Sequence, residues 1–464
     1  MRHEPSRQAS VADMAQAREA RAQRQRSMLA RHPWPVISLT LNIPGPVKSS
    51  PLIREGFDHA HQLIMRALGE NGVTLLEHHL TRSFTGDEFL YACHTDPLLL
   101  KRLTCALEEA DAFGRLLDLD VLGRDGCKIS RETVGLPPRA CLLCGRAASF
   151  CAPARSHRVT ELYERAQEIL ADTLMMGRAR SIGLLAQKSL IQEALVTPKP
   201  GLVDQENSGA HRDMDLSVLL DSAAALGGCF EEAARIGISL ARLEPAATMR
   251  ALRPWGLKAE GRMFEATGGV NTHKGAIYAL GILCAAAGRV WRRDKGLTSE
   301  ALFDAASQIA ADEAARLPSL MVSGDITNGI RLFAATGATG ARGEAAAGFP
   351  AVRDGALPQL RRYLRDGHSL NDAIAYALIH LIPLVEDTSL MKRAGAGLYQ
   401  EVQAQVEALL ARGPLSLGAI RALDRQFIAR NLSPGGCADL LAAACFAHWL
   451  EDGPPNWHPF SCAL

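Results

Sequence analysis

The chain lacks an excess of charge of either sign: its 464 residues carry 51 Lys and Arg against 50 Asp and Glu. That balance removes the basic footprint with which nucleic-acid binders gather phosphates, so no nucleic-acid partner is expected. Long apolar runs are also missing. "GAIYALGILCAAAG" and "AIAYALIHLIPLV" fall short of the roughly 18 residues that span a bilayer and read as buried helices, which argues against a membrane partner. There is no repeat of fixed period and no G-x-x-x-x-G-K-[ST] order, so neither a solenoid nor a Walker A loop is expected. The 11 cysteines are odd in number with one tight cluster, and no secretory leader is read. Reduced thiols in a cytoplasmic protein follow. The first thirty residues, rich in Arg, Gln and Ala, imitate a transit peptide, but Glu4, Asp13 and Glu19 interrupt that pattern. Residues 1–25 are therefore expected to form a flexible tail or a surface helix.

What is present falls into two textures. Up to about residue 160, strand-like stretches ("WPVISLTLNI", "GVTLLEHHL", "RLLDLDVLG") mix with helical ones such as "DPLLLKRLTCALEEADAFG", the mark of an α+β domain. Beyond it, apolar residues recur at three- and four-residue spacing between Gly/Pro loops, which predicts an all-α domain. The expected organisation is an α+β domain over 26–165 and a larger helical domain over 166–464.

In "NIPGPVK", two prolines deny amides to a continuing strand, so a rigid turn ends in Lys48. It is either a plain strand exit or a phosphate cradle. In "GRLLDLDVLG", a period of two puts Asp118 and Asp120 on one face and Leu117, Leu119 and Val121 on the other. Two carboxylates so placed are either the solvated face of an edge strand or the Mg²⁺ ligands of a nucleotidyltransferase-like domain. Cys141, Cys144, Cys151 and His157 form a C-x2-C-x6-C-x5-H series, which is either a tetrahedral Zn²⁺ site or a set of reduced structural thiols.

The helical domain interrupts itself with polar loops at the ends of apolar helices. "ALVTPKPGLVDQENSGAHRDM" gathers Lys199, Asp204, Glu206, His211 and Asp213 ahead of Asp215, with Asp213 expected to cap the next helix. "GGVNTHKGAIYALGIL" places Asn271, Thr272, His273 and Lys274 before a helix, with Thr272 as the expected N-cap and the helix end suited to a polyphosphate. "ARGEAAAGFP" supplies Arg342 and Glu344, and "VEDTSLMKRAG" supplies Glu386, Asp387 and Arg393. "NLSPGGCADLLAAACFAHWL" supplies Ser433, Gly435 and Gly436, with Asp439 expected in the first helical turn. Each loop alone reads as a solvated turn or a helix cap. Together they suggest one site at the ends of a helical bundle.

Two resemblances bear on these motifs. "SLTLNIPGPVKSS", "EEADAFGRLLDLDVL", "KISRETVGLPPRACLLC" and "CAPARSH" together resemble the apo-citrate lyase phosphoribosyl-dephospho-CoA transferase family over nearly all of 25–162. The resemblance implies that Asp118 and Asp120 carry Mg²⁺ and that Lys48, Arg115, Arg131 and Arg139 contact phosphate. "TPKPGLVDQENSGAHRDM" and the four loops after it resemble triphosphoribosyl-dephospho-CoA synthase in order over about 180–450. That family is expected to have a histidine at Asn328 and an asparagine at Ser389.

A fused bifunctional transferase is implied. Its synthase would join the triphosphoribosyl group of ATP to the ribose 2′-hydroxyl of 3′-dephospho-CoA and release adenine. Its transferase would load the product onto a serine of the apo-citrate lyase acyl carrier subunit and release pyrophosphate. Asp204 or Asp213 is the expected base or Mg²⁺ ligand, with Asp215 as a further metal candidate and His211 near adenine. Lys199, Lys274 and the 271–275 helix end would hold the triphosphate. Three other readings remain at this stage: the same group serving a malonate decarboxylase carrier, a nucleotide hydrolase, and a zinc-stabilised binding module without catalysis. A homo-oligomer is compatible with all of them.

Overall fold

The computed structural model describes residues 7–151, 153–291, 297–318 and 328–453. The chain divides into two compact units, one of residues Met1–Met175 and the other of Met176–Ser461.

The first unit is built on an antiparallel sheet of β1 (Val36–Leu41), β2 (Thr74–Thr81), β3 (Glu88–His94) and β4 (Leu117–Leu122), in the order β2-β3-β1-β4. Strand alternation sends Ile37, Leu39, Phe89, Tyr91, Leu117, Leu119 and Val121 into one core with α2 (Pro51–Glu70) and α3 (Pro97–Glu109). The other face carries Val36, Leu90, Ala92 and Leu122, which pack on Met28 of α1 (Val11–Arg31). Strand β3 is thus buried on both faces. It is the strand that periodicity misses, because "EFLYACH" shows no polar alternation.

Helix α1 covers most of the stretch expected as a tail or surface helix. Ser10 and Asp13 close a capping box at its start, Met28 enters the core, and Arg21 and Arg24 pair with Glu88. A short helix, α4 (Ala148–Cys151), follows the sheet. The unit division then falls inside α5 (Val159–Leu195).

The second unit is helical throughout its described residues. Helix α6 (Leu216–Ser239), α7 (Pro245–Ala266) and α9 (Ser299–Ala310) surround α8 (Lys274–Val290), which is buried on nearly every face. Shorter helices follow: α10 (Asn328–Thr336), α11 (Gly340–Ala346), α12 (Leu357–Arg365) and α13 (Leu370–Leu381). Then come α14 (Thr388–Ala411), bent at Gly395, α15 (Leu417–Ala429) and the largely buried α16 (Gly435–Asp452). Among the described residues no helix is long and apolar enough to cross a membrane.

Candidate functional site

In the first unit the "NIPGPVK" turn, the start of α2, one face of α1 and the Thr85–Asp87 loop enclose a cleft of about 170 Å³. Its wall includes Arg18, Arg21, Lys48 and Arg54 opposite Thr40 and Asp118. Lys48 Nζ donates to the Ile43 carbonyl, and partial burial, then the charge of Arg18, lowers its pKa. Asp87 is held by Arg82 and the Ser83 amide and stands 3.9 Å from Arg54, and Arg21 is paired with Glu88, but the basic side chains of the wall still outnumber its carboxylates. The cleft is therefore cationic and suits a polyphosphate. Arg18, Arg21 and Arg54 were not among the sequence candidates. The signal for two of them is that Met14, Arg18 and Arg21, at i, i+4 and i+7, share one face of α1.

Asp118 and Asp120 lie on the polar face of β4, as alternation requires, opposite Thr40 and Ser38 of β1. Thr40 Oγ1 donates to Asp118 at 3.0 Å, while Asp120 is bound by Lys128. Arg139 Nη1 stands 3.9 Å from Asp118, and its Nη2 donates to the Arg115 carbonyl at 2.8 Å. Arg115 in turn donates to the carbonyls of Ala140 and Cys141. Arg131 is engaged by Glu108, Glu109 and the Pro137 carbonyl, so it fastens a loop to α3. Just beyond Arg139, Cys141, Cys144, Cys151 and His157 converge.

In the second unit the opening loop folds back on itself. The Asp204 carboxylate accepts amides from Lys199, Glu206 and Asn207, at 3.0, 2.7 and 3.0 Å, which makes it the pin of the turn. Lys199 is buried and donates to Glu193 Oε1 and to the Glu193 carbonyl, both at 2.6 Å. Glu206 reaches outward to Arg421. Gly201, at φ 68, donates its amide to Asp424 from a conformation that a side chain could not share with the Leu432 carbonyl.

The end of this loop is more open. His211 Nε2 bonds the buried Ser433 hydroxyl at 2.7 Å, its Nδ1 is buried without a hydrogen-bond partner, and Asp213 stands 3.7 Å from that nitrogen. Arg393 closes the group by donating to the Ala210 carbonyl and to Asn431. Burial, then Arg393, lowers the His211 pKa, which keeps the imidazole neutral. The helix cap is a correction: α6 begins at Leu216, so Asp215, not Asp213, accepts the Val218 amide. Asp213 is left largely exposed.

The helix ends expected to hold phosphate are already met by carboxylates. Helix α8 begins at Lys274 with His273 at the cap position, and Thr272 instead donates to Ser222, which also bonds His273 Nδ1. The amide of Ala276 bonds Asp439, which sits a turn deeper in α16 than its sequence position suggested. It therefore stabilises the N-terminus of another helix rather than its own. Asp387 serves two helices, accepting the Ser389 and Leu390 amides as the N-cap of its own α14 and the Cys437 amide of α16. Burial raises both carboxyls in pKa. Gly435 and Gly436 pack closely on Ser389 and Asp387, so a methyl there would stand 3.3 and 3.1 Å from the nearest atom.

The remaining candidates spread outward. Lys274 pairs with Glu260 on the surface, Asn271 is exposed, Arg342 pairs with Glu313, and Glu344 accepts the Ala351 amide. Burial raises the Glu344 carboxyl to about 6. Asn328 opens α10, but its side chain lies outside the described residues.

Comparison with known proteins joins the two sites. Residues 9–173 match the family described as apo-citrate lyase phosphoribosyl-dephospho-CoA transferase, and residues 179–457 match ATP:dephospho-CoA triphosphoribosyl transferase. Protein CitXG of Haemophilus influenzae is 34% identical over 455 residues, covering 94% of this chain and 95% of that protein. The chain belongs to this fused CitXG family. A second CitXG, from Leuconostoc mesenteroides subsp. cremoris, is 33% identical over 92% of this chain and 94% of its own. The 2-(5''-triphosphoribosyl)-3'-dephosphocoenzyme-A synthase of Escherichia fergusonii is 38% identical over 61% of this chain and 95% of its own length. As a member of the CitXG family, the chain is a bifunctional transferase carrying both activities in one polypeptide.

Proposed function

We propose that the second unit binds ATP and 3′-dephospho-CoA and joins them with loss of adenine, with the His211–Ser433–Arg393 corner as its reacting edge. The observation that carries this reading is the unpartnered, buried Nδ1 of a neutral His211 beside the exposed Asp213. Substitution at an anomeric carbon needs a base for the attacking 2′-hydroxyl, a hydrogen-bond donor or acid at the departing adenine, and negative charge near an oxocarbenium-like centre. Asp213 is free to accept the hydroxyl proton, and His211 is placed to meet the base. Asp204 and Lys199 are taken up by the loop and by Glu193, so we assign them to holding the site rather than to the chemistry. An Mg²⁺ shared by Asp213 and Asp215 does not fit, because the Asp215 carboxylate is taken up by the Val218 amide as the cap of α6.

The first unit, by the same proposal, is a nucleotidyltransferase-like domain that passes phosphoribosyl-dephospho-CoA to a serine of the apo-citrate lyase acyl carrier subunit. Its cationic cleft would receive the polyphosphate, with Lys48, Arg18 and Arg54 as contacts and Asp118 at the edge. Asp118 and Asp120 fit Mg²⁺, since they are hard oxygen donors on one face of β4 and Asp118 lines the cleft. When bound, the ion would offset charge on the transferred phosphate. Arg139, close to Asp118, would hold the phosphate in line with the attacking serine. The reading includes a cytoplasmic location, shared with the carrier.

The test is one incubation with two readouts. Adenine should appear from ATP only when dephospho-CoA is present, and label from the product should then reach apo-citrate lyase carrier. Adenine release without dephospho-CoA would make the second unit a hydrolase, and preference for a malonate decarboxylase carrier would redirect the first.

A further inference from the structure

The cysteine and histidine series after Arg139 is not used by either reaction, and its geometry is specific. A hairpin closed by Cys141 N to Arg146 O and Ala148 N to Arg139 O, both 2.7 Å, turns Cys141 and Cys144 toward each other. Helix α4 then returns Cys151 to 3.5 Å from Cys144 Sγ, and His157 Nε2 reaches 3.3 Å from the same sulfur. All four ligand atoms lie within 4.8 Å of one another. A tetrahedral zinc with bonds of about 2.0–2.3 Å has ligand–ligand edges of roughly 3.3–3.8 Å, which the Cys144–Cys151 and Cys144–His157 distances match, with the other pairs inside 4.8 Å. Among the described residues no other group brings three or more such donors together. Cys141 and Cys151 are buried while Cys144 and His157 are half-buried, so the cluster is closed on one side and reachable on the other.

We propose that Cys141, Cys144, Cys151 and His157 bind one structural Zn²⁺ and that this metal positions Arg139 for the transferase. Binding is not a redox step. Zn²⁺ takes three thiolates and His157 Nε2, three thiol protons pass to solvent, and no position is left for substrate. The ligands tie the first strand and the turn of the hairpin, through Cys141 and Cys144, to the chain that follows it, and the first residue of that hairpin, Arg139, stands 3.9 Å from Asp118 while its Ala140 and Cys141 carbonyls bind Arg115. Without the metal, the hairpin keeps its backbone bonds and Arg139 keeps the Arg115 carbonyl and Glu108, at 2.8 and 3.6 Å, but the loop that presents Arg139 loses the cross-link between Cys141, Cys144, Cys151 and His157. The metal assignment stands on the ligand geometry alone; the positioning half rests on the proposed role of Asp118.

The test uses the full-length chain purified without chelator. Native mass spectrometry and elemental analysis should find one zinc per chain, absent from Cys144→Ser and from Cys151→Ser. Stripping with a chelator, then removing it and assaying in Mg²⁺, should raise the transferase KM for triphosphoribosyl-dephospho-CoA by about tenfold or more, the scale of supporting interactions around a site. Added Zn²⁺ should restore it and so show that the first unit is still folded, while adenine release by the second unit stays unchanged. Should the serine variants precipitate, Co²⁺ loading of the unaltered chain should give thiolate-to-cobalt absorption. A chain that takes up no stoichiometric zinc or cobalt, or a Cys144–Cys151 disulfide two mass units lighter, overturns the site. Zinc that binds and can be removed with no change in KM overturns the positioning role, even if the transferase assignment stands.

Discussion

The Lys199 ammonium lies 2.6 Å from a Glu193 carboxylate oxygen, and both side chains are sealed from solvent. A buried pair is costly to form and more costly to break, because the survivor is left as an uncompensated charge. Lys199→Met is therefore expected to destabilise the second unit by about 3–5 kcal/mol, and Glu193→Gln with Lys199→Met to recover most of it. Urea unfolding of the three proteins measures both. If Lys199→Met keeps its stability and only weakens ATP, the lysine serves the triphosphate and the pairing is incidental.

The first unit makes a cleaner separation. Asp118→Asn keeps the shape of β4 and its bond to Thr40 while removing the charge beside the cleft. Transfer to the carrier should fall by about 100-fold or more, the scale of a lost preorganised charge. Dephospho-CoA-dependent adenine release should be untouched. A parallel loss of both activities, measured in one preparation, would point to misfolding and remove Asp118 from the mechanism.

Asp204 and Asp213 can be told apart by the kind of damage each causes. Asp204→Ala leaves three loop amides without an acceptor, so it should cost about 1–3 kcal/mol of stability. Asp213→Asn touches an exposed carboxylate and should leave the melting temperature unchanged, while kcat for adenine release drops by about 10²–10⁴-fold. Calorimetry with an adenine assay distinguishes them. The reverse pattern would move the base to Asp204.

The contrast explains what could be read in the chain. Alternation in "LLDLDVL" is a local property, so it gave β4, its buried leucines and the shared face of Asp118 and Asp120. Strand β3 escaped because a strand covered on both sides has no alternation to detect. In the loop after α5 the residue types pointed to a site, but their partners are remote: Gly201 to Asp424 spans 223 positions and His211 to Ser433 spans 222. The partners of Asp204 are near in sequence, the amides of Lys199, Glu206 and Asn207, yet residue type alone does not separate this pin from Asp213, an open carboxylate. Likewise, nothing local to "GGCADLL" indicates that Asp439 serves the N-terminus of α8.

Buried His273 gives the second unit a pH dependence whose sign is fixed. Burial, then the charge of Lys199, lowers its pKa to about 3 from an ordinary 6.5. The unfolded chain therefore binds the extra proton first. Stability is fully present above pH 6.5 and is lost as pH falls from there toward 3. At pH 5 the loss from this group should be about 2 kcal/mol. His380, lowered to about 4 by burial and Arg362, adds in the same direction. Unfolding at pH 7 and pH 5, compared between the parent chain and His273→Asn, should show a smaller loss in the variant. Equal losses would mean that His273 is charged or exposed when folded.

The junction of α8 and α16 offers the sharpest steric test. A methyl on Gly275 would stand 1.9 Å from Asp439 Oδ2, so Gly275→Ala must displace the carboxylate from the α8 amides. Alanine favours a helix over glycine by about 1 kcal/mol, and an exposed first turn would therefore gain stability from the change. Here the opposite should hold. Asp439 would lose its helix-end partner while remaining buried, where burial first and then the charges of Asp387 and Glu193 already raise its pKa. The expected result is a lower melting temperature for Gly275→Ala, relieved when Asp439→Ala removes the clash and the charge together. A stabilised single variant would show that Asp439 does not face this helix end, and the idea that α8 is neutralised from within would go with it.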